Sequence, residues 1–283
     1  MFVDLHVHSV YSDGCLTPRQ LVQDALRAQV SFLALADHNT TDGCMEMRRE
    51  CLEAGLRTID AVEIDSAFAG DDLHILSYGA DASCPAFAGL VRYAREMLDK
   101  MSTDLVQRLK EDGKPVSLRE YDAFTEQKGQ GGWKALFYIR EACGLQSIYD
   151  VMPLYDAYGV TYVQAGFPTA EEVIRTIHAA GGLAVLAHPG IPAGQSRRMQ
   201  PEEMAAQLEE LFALGLDGAE CHYPKHSERE TELFLQACTR HGKLVTSGSD
   251  CHGVFSGKPV GYMKKKREDL SIEELWHRGL IKK

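Results

Sequence analysis

Short apolar runs alternate with longer stretches of mixed polarity along most of the chain. The runs predict strands, because they are four to eight residues long and are bounded by polar residues or glycine. Several of the intervening stretches begin with helix-capping residues, such as Thr17 followed by Pro18. We predict strands at residues 2–7, 31–36, 57–64, 73–78, 183–187, 218–221 and 243–247.

The pattern changes between residues 93 and 167, where helical stretches follow one another, separated by glycines. Outside that segment, repeated strand–helix units are typical of a parallel α/β sheet or barrel. We therefore predict an α/β fold. Residues 1–92 and 168–283 form its sheet-containing domain, and residues 93–167 form a helical insertion that covers it.

Composition indicates a soluble, globular, cytoplasmic protein. Of 283 residues, 45% are hydrophobic and 25% are charged. The sequence contains no apolar run long enough to cross a membrane and no basic segment followed by an apolar one at the N-terminus. The eight cysteines are scattered without a Cys-x-x-Cys pair, which indicates reduced thiols.

The formal net charge of −11 argues against general affinity for nucleic acid, which requires clustered Lys and Arg. The only dense basic run, Lys264 to Arg267, is followed at once by two acidic residues. We therefore expect no stable nucleic-acid complex. An acidic protein that acts on an anionic substrate needs positive charge inside its site, and metal ions would supply it.

Residues of metal-ligand type occur where nearly every predicted strand ends or begins. A single His or Asp there is more often a cap or a hydrogen-bonded core group, but unrelated caps would not converge on one face. His6 and His8 are two residues apart, so both imidazoles share one face of a strand, and Glu63 could bridge two ions. The nine residues concerned are His6, His8, Asp13, His38, Glu63, His74, His188, Asp250 and His252.

The motifs that carry these residues resemble those of the PHP (polymerase and histidinol phosphatase) family, in the same order. They are HVHSVYSDG at 6–14, ADHN at 36–39, Glu63-Ile64, His74, AHPG at 187–190 and GSDCH at 248–252. The placement of the helical insertion resembles the branch of nucleoside 3′,5′-bisphosphate phosphatases.

This resemblance implies a distorted seven-stranded β/α barrel that holds three metal ions. One ion would take His6, His8, Glu63 and Asp250. A second would share Glu63 and add His74 and His188. A third would use Asp13, His38 and His252. Two or three divalent ions are expected, with Mn²⁺ favoured over Fe²⁺ or Zn²⁺.

The implied activity is hydrolysis of a small phosphate monoester, expected to be a nucleotide, by a hydroxide that bridges two ions. Asp13 and His222 are the predicted catalytic residues, with His222 donating a proton to the leaving group or contacting the phosphate. We predict further substrate contacts from Trp133, Lys134, Arg197 and Arg198. The bisphosphate phosphatases carry an Arg-x-His element where residues 132–134 stand here, which leaves the substrate open.

Other functions remain open at this point. A 5′-3′ exonuclease acting on oligonucleotides and a histidinol-phosphate-type phosphatase both fit the resemblance. An amidohydrolase that cleaves a C–N bond would also suit His-x-His on a barrel strand, but it usually needs a Lys at a strand end. A non-catalytic module would be marked by missing ligands, whereas this set is complete.

Overall fold

The described part of the chain, residues 1–125, 129–191 and 199–282 of a computed structural model, forms eight strands and eleven α-helices. The strands are β1 Phe2–Val7, β2 Val30–Leu35, β3 Arg57–Thr58, β4 Ala61–Phe68, β5 Asp71–Tyr78, β6 Leu183–Leu186, β7 Gly218–His222 and β8 Leu244–Ser247. The helices are α1 Pro18–Arg27, α2 Cys44–Ala54, α3 Pro85–Glu111, α4 Leu118–Ala123, α5 Lys134–Cys143, α6 Met152–Ala157, α7 Tyr162–Ala165, α8 Ala170–Ala179, α9 Pro201–Ala213, α10 Glu228–His241 and α11 Glu273–His277.

The strands form two sheets, in the orders β1-β2-β3 and β4-β5-β6-β7-β8. The α/β class is confirmed, whereas the described strands do not close into one seven-stranded barrel. The predicted strand at 57–64 divides into β3, which pairs with β2, and β4, which pairs with β5. The chain therefore passes from one sheet to the other at residues 59–60.

β5 runs antiparallel to both of its neighbours, which the expectation of a parallel sheet did not anticipate. Ala69 and Gly70 alone connect β4 to β5, with φ of 52° and 95°. Two consecutive residues with positive φ make the tight turn of a hairpin, and a hairpin cannot join parallel strands. As a result, the beginning of β5 lies at the same end of the sheet as the end of β4.

Isolated bridges connect the two sheets at the ends of strands. Val7 pairs with Cys251, and His38 pairs with Glu63. The first bridge places the segment that follows β8 against the end of β1, and the second places the segment that follows β2 against β4. The junction between the sheets is therefore where the residues of metal-ligand type meet.

The described residues form three hydrophobic cores. One lies between the sheets and helices such as α8 and α9, a second lies between the β1-β2-β3 sheet and helices α1 and α2, and the third lies within the inserted helices. α3 contributes to the first and the third, since Phe87 and Val91 pack in the first and Leu105 and Leu109 in the third. The predicted boundary near residue 92 thus falls inside a continuous helix. Among the described residues, no helix has the length and apolar character needed to span a membrane.

Candidate metal centre

Four buried side chains converge beside the end of β1. His6 and His8 are each 0% exposed, and their Nε2 atoms lie 3.0 Å apart. Glu63 Oε2 lies 3.0 Å from the first of these nitrogens and 3.1 Å from the second. Asp250 Oδ1 lies 3.3 Å from His8 Nε2. The four residues match the set that the sequence assigns to one ion.

The second oxygen of Glu63 faces a different group. Oε1 lies 2.9 Å from His74 Nδ1 and 3.0 Å from His188 Nε2. His74 reaches this point because β5 is antiparallel, so a residue near its beginning lies beside the ends of the parallel strands. Glu63 therefore connects two groups of ligands, as expected of a bridging carboxylate.

A third group forms around Asp13. Asp13 Oδ2 lies 3.1 Å from His252 Nε2, and Asp13 Oδ1 lies 3.5 Å from His8 Nδ1. Potential ligand atoms of these residues and His38 all lie within 4.8 Å of one another. The third predicted set is thus brought together, with His8 as an additional member.

The loop that carries Asp13 is anchored to the end of β2. Asp37 accepts hydrogen bonds from the backbone N–H and the hydroxyl of Ser9, both at 2.7 Å, and from the hydroxyl of Ser12 at 2.6 Å. A Cβ at Gly14 would collide with the backbone of His8. These contacts fold the loop back over the cluster, so that the Asp13 carboxylate points toward the histidines.

In most of these histidines, one ring nitrogen faces the cluster and the other forms a hydrogen bond with a group outside it. Such outer hydrogen bonds orient metal-binding imidazoles and fix their tautomer. The outer contacts are His6 Nδ1 to Glu220 at 3.2 Å, His38 Nδ1 to Asp65 at 3.0 Å, His74 Nε2 to the Tyr162 hydroxyl at 3.0 Å, His188 Nδ1 to the Ile191 carbonyl at 3.3 Å and His252 Nδ1 to the Asp250 carbonyl at 3.0 Å.

The donor set fits divalent ions. Imidazole and carboxylate groups are common ligands of Mn²⁺, Fe²⁺ and Zn²⁺. With metal–ligand bonds of about 2.1 Å, adjacent ligand atoms should lie about 3.0–3.4 Å apart, and the contacts around Glu63, at 2.9–3.1 Å, lie at the short end of that range. His8 Nδ1 is also buried without a hydrogen-bond partner among the described residues.

Opposite charges within the cluster shift the pKa values of its members. Burial opposes ionisation of Glu63, but the surrounding imidazoles outweigh burial and hold its pKa well below the ordinary value. Burial likewise disfavours the charged form of His6, but the carboxylates of Glu63 and Glu220 raise its pKa well above the ordinary value. Glu63 is therefore ionised, and a divalent ion bound by His6 would displace the proton from that imidazole.

Comparison with known protein families matches residues 4–180 to the PHP domain. The chain belongs to the PHP domain family. This confirms the resemblance and, with it, the prediction of a metal-dependent phosphoesterase.

Relatives that match this chain along nearly their whole length differ in their named activities. The chain is 31% identical to the 5′-3′ exoribonuclease Rnm of Escherichia coli, over 96% of this chain and 92% of that protein. It is 27% identical to the 3′,5′-nucleoside bisphosphate phosphatase of Chromobacterium violaceum, over 92% of this chain and 90% of that protein. A structure from Bifidobacterium adolescentis, described as a predicted metal-dependent phosphoesterase, superimposes with a TM-score of 0.78 at 28% identity and covers 98% and 96% of the two chains.

His222 does not face the metal centre of this PHP domain. The register of β7 against β8 shifts between Glu220 and His222, which is the mark of a β-bulge. A one-residue shift moves every following side chain to the opposite face. Glu220 therefore points inward to His6, whereas His222 lies on an outer groove beside Lys265.

Tyr223 takes the inward position that the sequence assigned to its neighbour. Its hydroxyl donates to Asp250 Oδ2 at 2.9 Å. Lys258 Nζ reaches the same oxygen at 2.5 Å and the Tyr223 hydroxyl at 3.1 Å. Neither residue was predicted from the sequence. Strand alternation without the bulge would turn Tyr223 outward, and Lys258 lies in a loop after the last strand.

The predicted substrate-contact residues differ in whether they lie at the pocket above the cluster. Trp133 lines the pocket above the cluster, and its Nε1 donates to the Tyr155 hydroxyl at 2.8 Å. Lys134 does not line that pocket; its ammonium donates to the Asp122 carbonyl and lies 4.6 Å from the centre of the Tyr121 ring. Arg197 and Arg198 lie outside the described residues.

Two further residues that contact the predicted ligands were missed. Asp65 Oδ1 lies 3.0 Å from His38 Nδ1 and 3.3 Å from His74 Nε2. Its spacing of two from Glu63 on β4 was a signal that could have identified it. Tyr162, which contacts His74, comes from the insertion, and no local pattern places it at the cluster.

Proposed function

We propose that this phosphoesterase hydrolyses a small nucleotide phosphomonoester, such as a nucleoside 3′,5′-bisphosphate, at two or three divalent ions. The observation that carries the proposal is a cavity of about 350 Å³ between the metal centre and the inserted helices. Its floor includes Asp13, Glu63 and Asp250, and its roof consists of aromatic and apolar side chains of the insertion. A phosphate bound to the ions would therefore carry its organic part against the roof.

The roof suits a nucleobase. Trp133, Tyr149 and Tyr155 supply aromatic rings, and Met101 and Met152 supply adaptable apolar surface. A flat base stacks on such rings with little dependence on its identity. Volumes of small-molecule pockets run from about 300 to 1,000 Å³, so this cavity suits a compact ligand such as a mononucleotide.

Arg95 of α3 lines the same cavity from the side of the insertion and supplies a cation there. A guanidinium forms paired hydrogen bonds with phosphate oxygens, which suits the second phosphate of a bisphosphate. We propose this role for Arg95 in place of the one predicted for Lys134. Arg197 and Arg198 remain predicted contacts.

We propose that the nine predicted residues hold the ions, with Glu63 shared between two of them. When bound, the ions supply positive charge to the phosphoryl group and activate water. The protein orients this set through Asp37, which fixes the Asp13 loop, and through Glu220, which fixes His6. The insertion also contacts the Asp13 loop directly, since Gly132 N–H donates to the Asp13 carbonyl at 2.7 Å.

A 5′-3′ exonuclease that releases nucleotides from an oligonucleotide is the second candidate. The observation in its favour is the similarity to the exoribonuclease along nearly the whole chain. A terminal nucleotide could occupy the same cavity, with the rest of the strand outside it.

The test is phosphate release by protein reloaded with Mn²⁺. The substrates are adenosine 3′,5′-bisphosphate, AMP, histidinol phosphate and a short 5′-phosphorylated oligoribonucleotide. We expect the bisphosphate to be hydrolysed fastest, and Asp13→Ala, which removes a proposed metal ligand, to abolish the reaction. Release of mononucleotides from the oligoribonucleotide at a higher kcat/KM than for the bisphosphate would establish the exonuclease instead.

A further inference from the structure

Lys258 is a buried cation at the edge of the metal centre. It is only 9% exposed, and its ammonium donates to Asp250 Oδ2 and to the Tyr223 hydroxyl. Burying an ammonium is costly unless it is paired and hydrogen-bonded. Asp250 Oδ1, the other oxygen of the same carboxylate, faces His8. Lys258 thus contacts the oxygen of Asp250, a proposed metal ligand, that does not face His8.

The ammonium is positioned to do more than hold Asp250. An ammonium has three N–H donors, and two of them are directed at Asp250 and Tyr223. Lys258 also lines the cavity above the metal centre. Its remaining donor is therefore available to an acceptor in that cavity.

Lys225 brings a second ammonium to the same wall. It follows β7 in the loop before α10 and lines the same cavity. Burial and, after it, the positive charge of Lys258 lower the pKa of Lys225. Two neighbouring cations repel each other, and an anion bound at both would relieve that repulsion.

We propose that Lys258 and Lys225 form an anion site on this wall of the cavity, which binds a non-bridging oxygen of the substrate phosphate. The identification of the anion as a phosphate ester rests on the proposed function. The lysines would act with the metal ions, because charge spread over the phosphoryl oxygens needs cations on more than one side. Lys258 is positioned for this contact by Asp250 and Tyr223.

The experiment measures binding of inorganic phosphate to Mn²⁺-loaded protein by isothermal titration calorimetry, with bound metal determined on the same samples. Lys258→Met and Lys225→Met should each weaken phosphate binding about tenfold to a hundredfold, the usual effect of losing a charged hydrogen bond. Metal content should stay at the wild-type value. Lys110→Met, which makes the same change at an exposed position of α3, should bind phosphate as wild type does.

Phosphate affinity within twofold of wild type in both variants would overturn the proposal. So would a weakening confined to Lys258→Met and accompanied by loss of metal, since Lys258 would then serve only to orient Asp250. Lys225 is the more exposed of the two lysines, so its variant tests the site even if Lys258→Met folds poorly. Because phosphate binding is measured without turnover, failure of the proposed substrate would not affect the result.

Discussion

Glu63 offers the sharpest test of the metal centre, because its two oxygens face different groups of ligands. Five imidazole nitrogens lie 2.9 to 3.3 Å from these oxygens. Glu63→Gln keeps the shape of the side chain and removes its charge. A charged hydrogen bond is worth about 1.5–3 kcal/mol, so losing the equivalent of two would weaken metal binding about 10²- to 10⁴-fold. The affinity and number of bound Mn²⁺ ions are measured by calorimetry and elemental analysis.

Glu220→Gln is the matched control. Glu220 contacts His6 on the ring nitrogen that points away from the cluster, at 3.2 Å, and it accepts the backbone N–H of His188 at 3.0 Å. Loss of such an outer contact typically weakens metal binding about 10- to 100-fold. The order of effect should therefore be Glu63→Gln first and Glu220→Gln second. An equal or reversed order, or wild-type metal binding by Glu63→Gln, would refute the assignment of Glu63 as a bridging ligand.

Three other substitutions test the surroundings of the centre. His222→Gln should leave phosphate release within about twofold of wild type. Burial lowers the pKa of His222 from 6.5 to about 4, so the wild-type protein loses stability as the pH falls from 6.5 to 4. The variant lacks this titrating group and should lose less stability over that range, measured by thermal unfolding. Trp133→Ala should raise KM for a nucleotide about tenfold but leave KM for a phosphate ester without a base unchanged, as steady-state kinetics would show. Gly248→Ala would place a methyl group against His6, so we expect about 1–3 kcal/mol lower stability in denaturant titration and loss of bound metal.

Much of the centre could be predicted because its residues lie where strands begin or end. The spacing of His6 and His8 fixes a shared face, and the position of Asp250 after β8 places it at the same edge. Thr17 also caps α1 as expected, since its side chain accepts the backbone N–H of Gln20. In each case a local pattern was sufficient.

Features that depend on contacts between distant segments were missed. The β-bulge that turns His222 outward and Tyr223 inward has no distinctive local sequence. Lys258 and Tyr162 reach the cluster only because a late loop and the insertion fold over it. The hairpin at Ala69-Gly70 was missed for a different reason: β4 and β5 both extend beyond the apolar runs that predicted them, so the connection looked longer than it is.

The most direct test of the account is a Mn²⁺ titration of chelator-treated protein, with bound metal per chain and phosphate release from adenosine 3′,5′-bisphosphate measured at each step. The account predicts no turnover in the metal-free protein and activity that appears as the second ion binds, because Glu63 connects two groups of ligands. Undiminished turnover without metal, or no phosphate release with two or three ions bound, would contradict it.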